Sequence, residues 1–376
     1  MRYRRMPIEI ESPEEIGYRT IRYNLAESSM PDRRLSDLGL TLDLDGLLLQ
    51  YGDHRGHPGL RAMLAAESGT TPDQVILTPG AAGALFIVTT SLLEPAGHLV
   101  VLRPNYATNV ETPRAIGCDA THLDLTFDQG FGYTADSVAA CLRPATRLVS
   151  ITTPHNPTGV ALPDDELDRI VRLVESRGIH LLVDETYRDL TVAEPGPFAA
   201  ARSPAVISVG SFSKAYGLPG LRLGWVITRD PRLAELFLAA KEQITITGPV
   251  IDEEIGYRVY QQRQALRPEI GREVARRIVL VKGWVERQQL IEWVEPTGGV
   301  VCFPRVRPGL PFDADGFYQT LTHRFGTYVG PGHWFEQDRR HFRLGFGWPA
   351  LPDLEAGLAA LSAAAAEATG LGPAAD

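Results

Sequence analysis

The 376-residue chain predicts an α/β fold: a large domain on a mostly parallel sheet with helices on both faces, then a smaller α+β domain. Three observations carry this. Between about residues 41 and 250, short apolar runs alternate with amphipathic stretches. Residues suited to chemistry stand just after those runs, where open parallel sheets place their ligands. Beyond a long polar stretch, two more strand-like runs follow, at 298–303 and 341–346.

Taken in order, residues 1–40 read as an N-terminal arm packing with the small domain. Residues 41–255 read as the large domain, and 256–376 as an interdomain helix with the small C-terminal domain. In the arm, Ser12-Pro13-Glu14-Glu15 has the form of a helix start. Ser12 can cap, Pro13 fits the first turn and Glu15 completes a capping box. Runs at 75–77, 98–102, 148–151, 180–183 and 206–209 read as buried strands, and 81–93 and 164–176 carry helical periodicity. A single long polar helix is expected over about 251–291. The alanine-rich tail reads as a helix over 358–368, then frayed residues 370–376.

Composition narrows the function. There are 37 Lys and Arg against 46 Asp and Glu, a formal charge of −9. That balance argues against a nucleic-acid partner held by bulk electrostatics and suits a small-molecule substrate. Cys118, Cys141 and Cys302 are widely spaced, which gives neither a disulfide framework nor a metal site and points to the cytoplasm. The basic start lacks an apolar segment after it, so no signal peptide is expected, and no apolar run is long enough to span a bilayer. His54, His57, His155 and His333 lie near the motifs below, without metal-ligand spacing.

The most informative stretch is Ser211-Phe212-Ser213-Lys214, followed by Gly220-Leu221-Arg222-Leu223-Gly224. A lysine beside two hydroxyls and an arginine is what an enzyme needs to carry pyridoxal 5′-phosphate (PLP) as a Schiff base. Gly80-Ala81-Ala82 opens a helix after a strand, where free N–H groups make a phosphate seat, with Arg222, Ser211 and Ser213 adding charge-assisted bonds. Asp184, after the run ending at Val183, reads either as the partner of a pyridine nitrogen or as a helix cap. Asn156, in His155-Asn156-Pro157-Thr158-Gly159, is either a donor to the cofactor's phenolic oxygen or part of a plain turn. Tyr106 either lies against the ring or is a half-buried loop aromatic, and Tyr187 can donate to the same oxygen as Asn156. Arg343 suits a substrate α-carboxylate, or else a surface salt bridge.

Together these motifs, with Tyr51-Gly52, Pro104-Asn105-Tyr106, Gly298-Gly299 and Val329-Gly330-Pro331-Gly332, resemble the class I/II aminotransferases of PLP fold type I over nearly the whole chain. The resemblance implies a seven-stranded, mostly parallel sheet in the large domain and a homodimer with shared active sites. It implies that Tyr51 reaches the phosphate of the partner subunit's cofactor, and that Lys214 both carries the cofactor and shuttles the α-proton of an L-amino acid, with Asp184 and Tyr106 as catalytic companions. Its non-catalytic relatives carry an upstream DNA-binding domain, for which residues 1–40 leave no room.

Two features depart from that pattern. Ala82 and Gly83 stand where many relatives carry a hydroxyl and an acidic or amide residue, so backbone N–H groups must hold more of the phosphate. The strip Asn24-Leu25-Ala26-Glu27-Ser28-Ser29 replaces a glycine-bearing loop over the substrate. That strip and the run from Lys214 to Arg222 resemble a branch of specialised metabolism containing capreomycidine synthase, guanidino cyclases and PLP-dependent arginine oxidases. On that resemblance, Glu27 and Glu9 are candidates to contact a guanidinium, against the alternative that both are solvated. The reaction expected is transamination, or else cyclisation, elimination or oxygen-dependent oxidation of arginine or hydroxyarginine.

Overall fold

The computed structural model describes residues 1–43 and 45–371. At its centre is a seven-stranded sheet. Its strands are β1 (Val75–Pro79), β2 (His98–Arg103), β3 (Asp119–Asp124), β4 (Thr146–Thr152), β5 (His180–Asp184), β6 (Val206–Ser211) and β7 (Leu223–Thr228). Across the sheet the order is β1-β7-β6-β5-β4-β2-β3. Neighbours from β6 to β3 pair parallel, whereas β7 runs antiparallel to both β1 and β6. Helices cover the faces, so central strands such as β6 and β7 are buried throughout and read as nearly continuous apolar runs.

The one reversal has a local cause. A parallel return needs a crossover, usually through a helix. Residues 212–222 link β6 to β7 without an α-helix, so β7 can only come back antiparallel beside β6. Lys214 and Arg222 both lie on this link. They therefore sit at the sheet edge where the other strands end, beside Asp184 at the end of β5.

Helix α1 (Gly80–Leu92) follows β1 directly, and its first residue has φ +69°. It approaches the sheet closely because β6 and β7 carry glycine there. A Cβ on Gly224 would lie 2.5 Å from the carbonyl carbon of Gly80, 2.7 Å from the amide nitrogen of Ala81 and 2.7 Å from the carbonyl oxygen of Gly210.

Smaller sheets stand apart from the main one. Val301–Cys302, Phe342–Gly345 and Gly330–Pro331 form one, and the arm residues Tyr23–Asn24 pair parallel with Thr327–Tyr328. The C-terminal helix spans Leu351–Thr369 and stops at Gly370, at φ +67°. The fraying is expected over residues 370–376, of which 372–376 lie outside the described residues.

Three expectations are corrected. The polar helix expected over 251–291 is two helices, Val250–Gln261 and α2 (Arg263–Glu286), separated by Gln262 at φ −90°, ψ 2°. Ile291–Glu292 is already a strand, paired with Arg305–Val306. At the arm helix Pro13–Ile16, Ser12 holds the N-cap position but makes no side-chain cap bond. The amide of Glu15 already donates to the Ser12 carbonyl at 3.0 Å, so the hydroxyl finds no free donor, and the Glu15 carboxylate turns to Arg5 at 3.3 Å. Finally, no helix starts at Asp184, which excludes the capping role.

Gly224→Ala is expected to lose about 1–3 kcal/mol, because the added methyl meets backbone that no rotamer change can move. Gly196→Ala, with open space around it, should stay near the parent value in the same denaturant titration.

Candidate active site

At the carboxyl edge of the sheet lies a cavity of about 490 Å³. Its wall takes in residues from the strand ends, from the β6–β7 link, from Arg343 and from the N-terminal arm. Of the residues singled out in the sequence, Lys214, Asp184, Asn156, Tyr187, Tyr106, Ala81, Ala82, Ser211, Ser213, Arg222, Arg343, Glu27 and Glu9 line it. Gly80 is set just behind, where a Cβ would lie 2.7 Å from the Arg222 guanidinium. Tyr51 is not brought here; it is 78% exposed, away from this cavity.

One end of the cavity is built for an anion. The free N–H groups of α1 point into it beside Ser211 and Ser213. Arg222 adopts the left-handed conformation at φ +48°, ψ 41°. Such a conformation costs a non-glycine residue about 1 kcal/mol and turns this side chain back over Gly80. Among the described residues no carboxylate pairs with Arg222; its Nη1 donates to the Pro219 carbonyl at 2.9 Å. A guanidinium held in strain without a counter-ion fits a phosphate.

The middle of the cavity fits an aromatic ring with a protonated nitrogen and an oxygen acceptor. Asp184 is buried and has no ion-pair partner among the described residues. Burial pushes its carboxyl up, and bonds from the Thr186 hydroxyl at 2.6 Å and amide at 3.1 Å oppose that. A cationic N–H would complete it. The Tyr187 hydroxyl is buried without a hydrogen-bond partner, and burial pushes its pKa up to about 12. It therefore stays protonated, with a donor to give. Tyr106, also pushed up to about 12 by burial with the Glu9 charge adding, lines the same region.

Lys214 stands between these groups, its Nζ donating to the Ser28 hydroxyl at 3.0 Å. Burial lowers its pKa; Glu27 opposes that and Arg343 reinforces it. The amine is thus easier to deprotonate than an ordinary lysine. Arg343 is 5% exposed, its Nη1 donating to Asn156 Oδ1 at 3.1 Å and its Nη2 to the Ala26 carbonyl at 2.7 Å. Its Nε has no partner, and no carboxylate pairs with it among the described residues. The salt-bridge alternative for Arg343 therefore falls, and a planar donor remains for a ligand carboxylate. Because Asn156 spends its oxygen on Arg343, its amide N–H₂ is left to donate into the cavity. Asn156 lies on a turn and also faces the cavity.

Sequence reading missed part of the wall. Glu14, Asp32, Tyr18 and Trp334 also line the cavity, beside Ser28 of the strip expected over the substrate. Tyr18 donates to Glu27 at 3.0 Å and stacks on Trp348 with centroids 6.0 Å apart, and Trp348 donates to Asp32 at 3.0 Å. Glu14 escaped because it belongs to a helix start, where an acidic residue has an ordinary reason to be. The arm is held by Glu11, whose Oε2 lies 2.7 Å from Trp334 Nε1 and 2.8 Å from His333 Nε2; its carbonyl accepts from the Tyr328 hydroxyl at 2.7 Å.

Comparison with known proteins agrees with this geometry. The family model described as aminotransferase class I and II matches residues 28–355. The chain belongs to the class I and II aminotransferase family. Within it, the chain is 31% identical over 326 residues to capreomycidine synthase of Streptomyces vinaceus, covering 86% of this chain and 82% of the relative. It is 29% identical over 341 residues to the arginine–pyruvate transaminase AruH of Pseudomonas aeruginosa, covering 83% and 82%. Among solved structures, the PLP-dependent cyclase OrfR superposes with a TM-score of 0.86 at 27% identity, covering 98% of each chain. The sheet of this aminotransferase-family chain is thus that of the fold type expected from its sequence.

Two outcomes follow. His155, beside Asn156, is 1% exposed, and burial pushes its pKa down to about 4. The unfolded chain binds this proton from pH ~6.5 downward while the folded chain resists it, so stability should fall as pH drops from about 6.5 to about 4, by about 3 kcal/mol in all. His155→Gln should flatten that slope in denaturant titrations across this window. Replacing Glu11 by Ala removes the acceptor of Trp334 and His333, worth about 1 kcal/mol at this half-exposed site, and should speed amide hydrogen exchange in residues 7–16 roughly fivefold.

Proposed function

We propose that this chain is a PLP-dependent enzyme that removes and returns the α-proton of an L-amino acid, with transamination as its reaction. The observation that carries this is a single one. A lysine of lowered basicity lines a cavity between an unpaired buried carboxylate, Asp184, and an unpaired buried guanidinium, Arg343. When bound, PLP supplies an aldehyde for amine chemistry and a ring that accepts the electron pair released at the α-carbon. The α1 N–H groups of Gly80, Ala81 and Ala82 would hold its phosphate with Arg222, Ser211 and Ser213. Asp184 would keep its ring nitrogen protonated, Asn156 and Tyr187 would donate to its phenolic oxygen, and Tyr106 would pack against it. Arg343 grips the substrate carboxylate and so orients the α-hydrogen towards Lys214. The Lys214 amine, already disposed to be neutral, takes that proton at Nζ and delivers it again.

A second reading concerns the substrate side chain and the later steps. Glu9, Glu14, Glu27 and Asp32 line the cavity, and none of their carboxylates pairs with a Lys or Arg among the described residues. Once phosphate, ring nitrogen and α-carboxylate are matched, these four remain, and a cationic side chain satisfies them. A guanidino amino acid such as arginine or hydroxyarginine fits, bound through Glu27 and Glu9. The names of the synthase, the arginine transaminase and the cyclase support this, and with it cyclisation, elimination or oxidation in specialised metabolism. We read the assembly as a cytoplasmic homodimer in which Tyr51 reaches the partner subunit's phosphate site. The exposure of Leu48, Leu49 and Tyr51 supports that reading. The same reading divides the chain into arm, large and small domains at about residues 40 and 255.

Lys214→Ala should abolish the visible absorbance gained with PLP and slow α-proton exchange by more than about 10³-fold, followed by deuterium uptake into the amino acid. Glu27→Gln and Glu9→Gln should each raise KM for arginine about tenfold while leaving neutral amino acids unaffected. Product formed from arginine without any oxo-acid would exclude transamination, and equal KM shifts for neutral and cationic substrates would exclude the guanidinium contact.

A further inference from the structure

Behind the lysine link lies a buried polar cluster that none of these roles uses. The Tyr216 hydroxyl donates to Asp189 Oδ2 at 2.7 Å. Asp189 Oδ1 faces Arg263 at 3.2 Å, Arg188 at 3.3 Å and Arg267 at 3.4 Å. Arg263 continues to Glu67 at 3.1 Å, which also accepts from Tyr260 at 2.8 Å. Asp189, Tyr216 and the three arginines are all buried, and the arginine Nε atoms have no partner. Burial pushes the Asp189 carboxyl up, but the arginines and Tyr216 outweigh it and hold it below the usual range.

As a way of stabilising a core this is poor, because apolar packing of the same volume does at least as well without desolvating five ions. Its distinctive effect is geometric. Asp189 joins three elements: the turn that follows Asp184 and Tyr187, the start of α2, and the Lys214 link two residues beyond the lysine. The front of that link is held by the arm, where Met30 N–H donates to the Lys214 carbonyl at 3.0 Å and Arg33 N–H to the Gly217 carbonyl at 2.9 Å. Two residues beyond the lysine, the Tyr216 hydroxyl ties the same link to Asp189, while the ring packs on Phe212 and Tyr260.

We propose that Asp189 is a positioning residue for Lys214: through the Tyr216 hydroxyl it sets the lysine link against the turn carrying Asp184 and Tyr187, and through Arg263 it locks that setting to α2. This rests on the reading of Lys214 as the cofactor-bearing amine. Tyr216→Phe keeps the ring and removes the bond, so the core survives while the lysine link gains freedom. Asp189→Asn acts on the same bond from the other side.

The test uses the full chain freed of cofactor and two probes. One is 4-deoxypyridoxine 5′-phosphate, which has the ring and phosphate but no aldehyde; its equilibrium affinity reports the seat alone. The other is PLP, whose covalent loading joins amine to aldehyde with loss of one water, followed by absorbance. Tyr216→Phe is expected to leave the affinity for the deoxy compound within about twofold and to slow loading by PLP about tenfold or more. It should also move the pH at which the loaded chromophore changes colour. A parallel loss of both probes would show a merely structural role, and unchanged loading would show no role; either result overturns the proposal. Tyr216→Phe decides the matter even where Asp189→Asn does not fold. If the unaltered chain takes up neither probe, it is the function itself that fails rather than the role of Asp189.

Discussion

The contact on which the rest of the structure depends is the close approach of the Gly224 backbone to Gly80, Ala81 and Gly210. Only a residue without a Cβ at position 224 lets the first turn of α1 settle on the ends of β6 and β7 at these distances. That contact aims the α1 N–H groups into the cavity and gives Arg222 something to reach across. The antiparallel return of β7 supplies the rest, since it carries Lys214 and Arg222 on one short link. An anion seat and an amine are thereby set at fixed separation by main chain, with little left to side-chain choice.

Much of this was readable because the chemistry lies close to the strands that position it. Asp184, Asn156 and Tyr106 each follow an apolar run by a few residues, so recognising the run locates the residue. The missed strands explain themselves. β3 is an edge strand of Asp, Thr and His as much as of apolar residues, partly exposed along its length, and so lacks the apolar signal. β7 was hidden by the glycine-rich run from which it begins. The break at Gln262 leaves no mark in composition, because polar residues continue on both sides. Glu14 and Asp32 reach the cavity by the path of the arm, and a path is a tertiary fact. The Asp189 cluster draws residues from 67 to 267, and no local window contains it.

Electrostatically the cavity has two regions that ask for opposite partners. Arg222, the α1 N–H groups and Arg343 offer positive potential that suits phosphate and carboxylate groups. The arm offers Glu9, Glu14, Glu27 and Asp32 across from them. Lys214 lies on the boundary and feels both, with Glu27 favouring its charged form while burial and Arg343 favour the neutral one. A zwitterionic substrate with a cationic tail matches this polarity end to end, and its arrival changes the balance at the amine itself.

The arm has a consequence for biosynthesis. Glu11 docks on Tyr328, His333 and Trp334, and Tyr23–Asn24 pair with Thr327–Tyr328, so residues 11–24 leave the ribosome long before the segment they bind. Closing so long a loop is entropically slow relative to local contacts. The sheet, with the backbone contacts that aim α1 at the cavity, can therefore assemble during translation before the acidic wall of the cavity, which is completed only after residues 327–334 have been made.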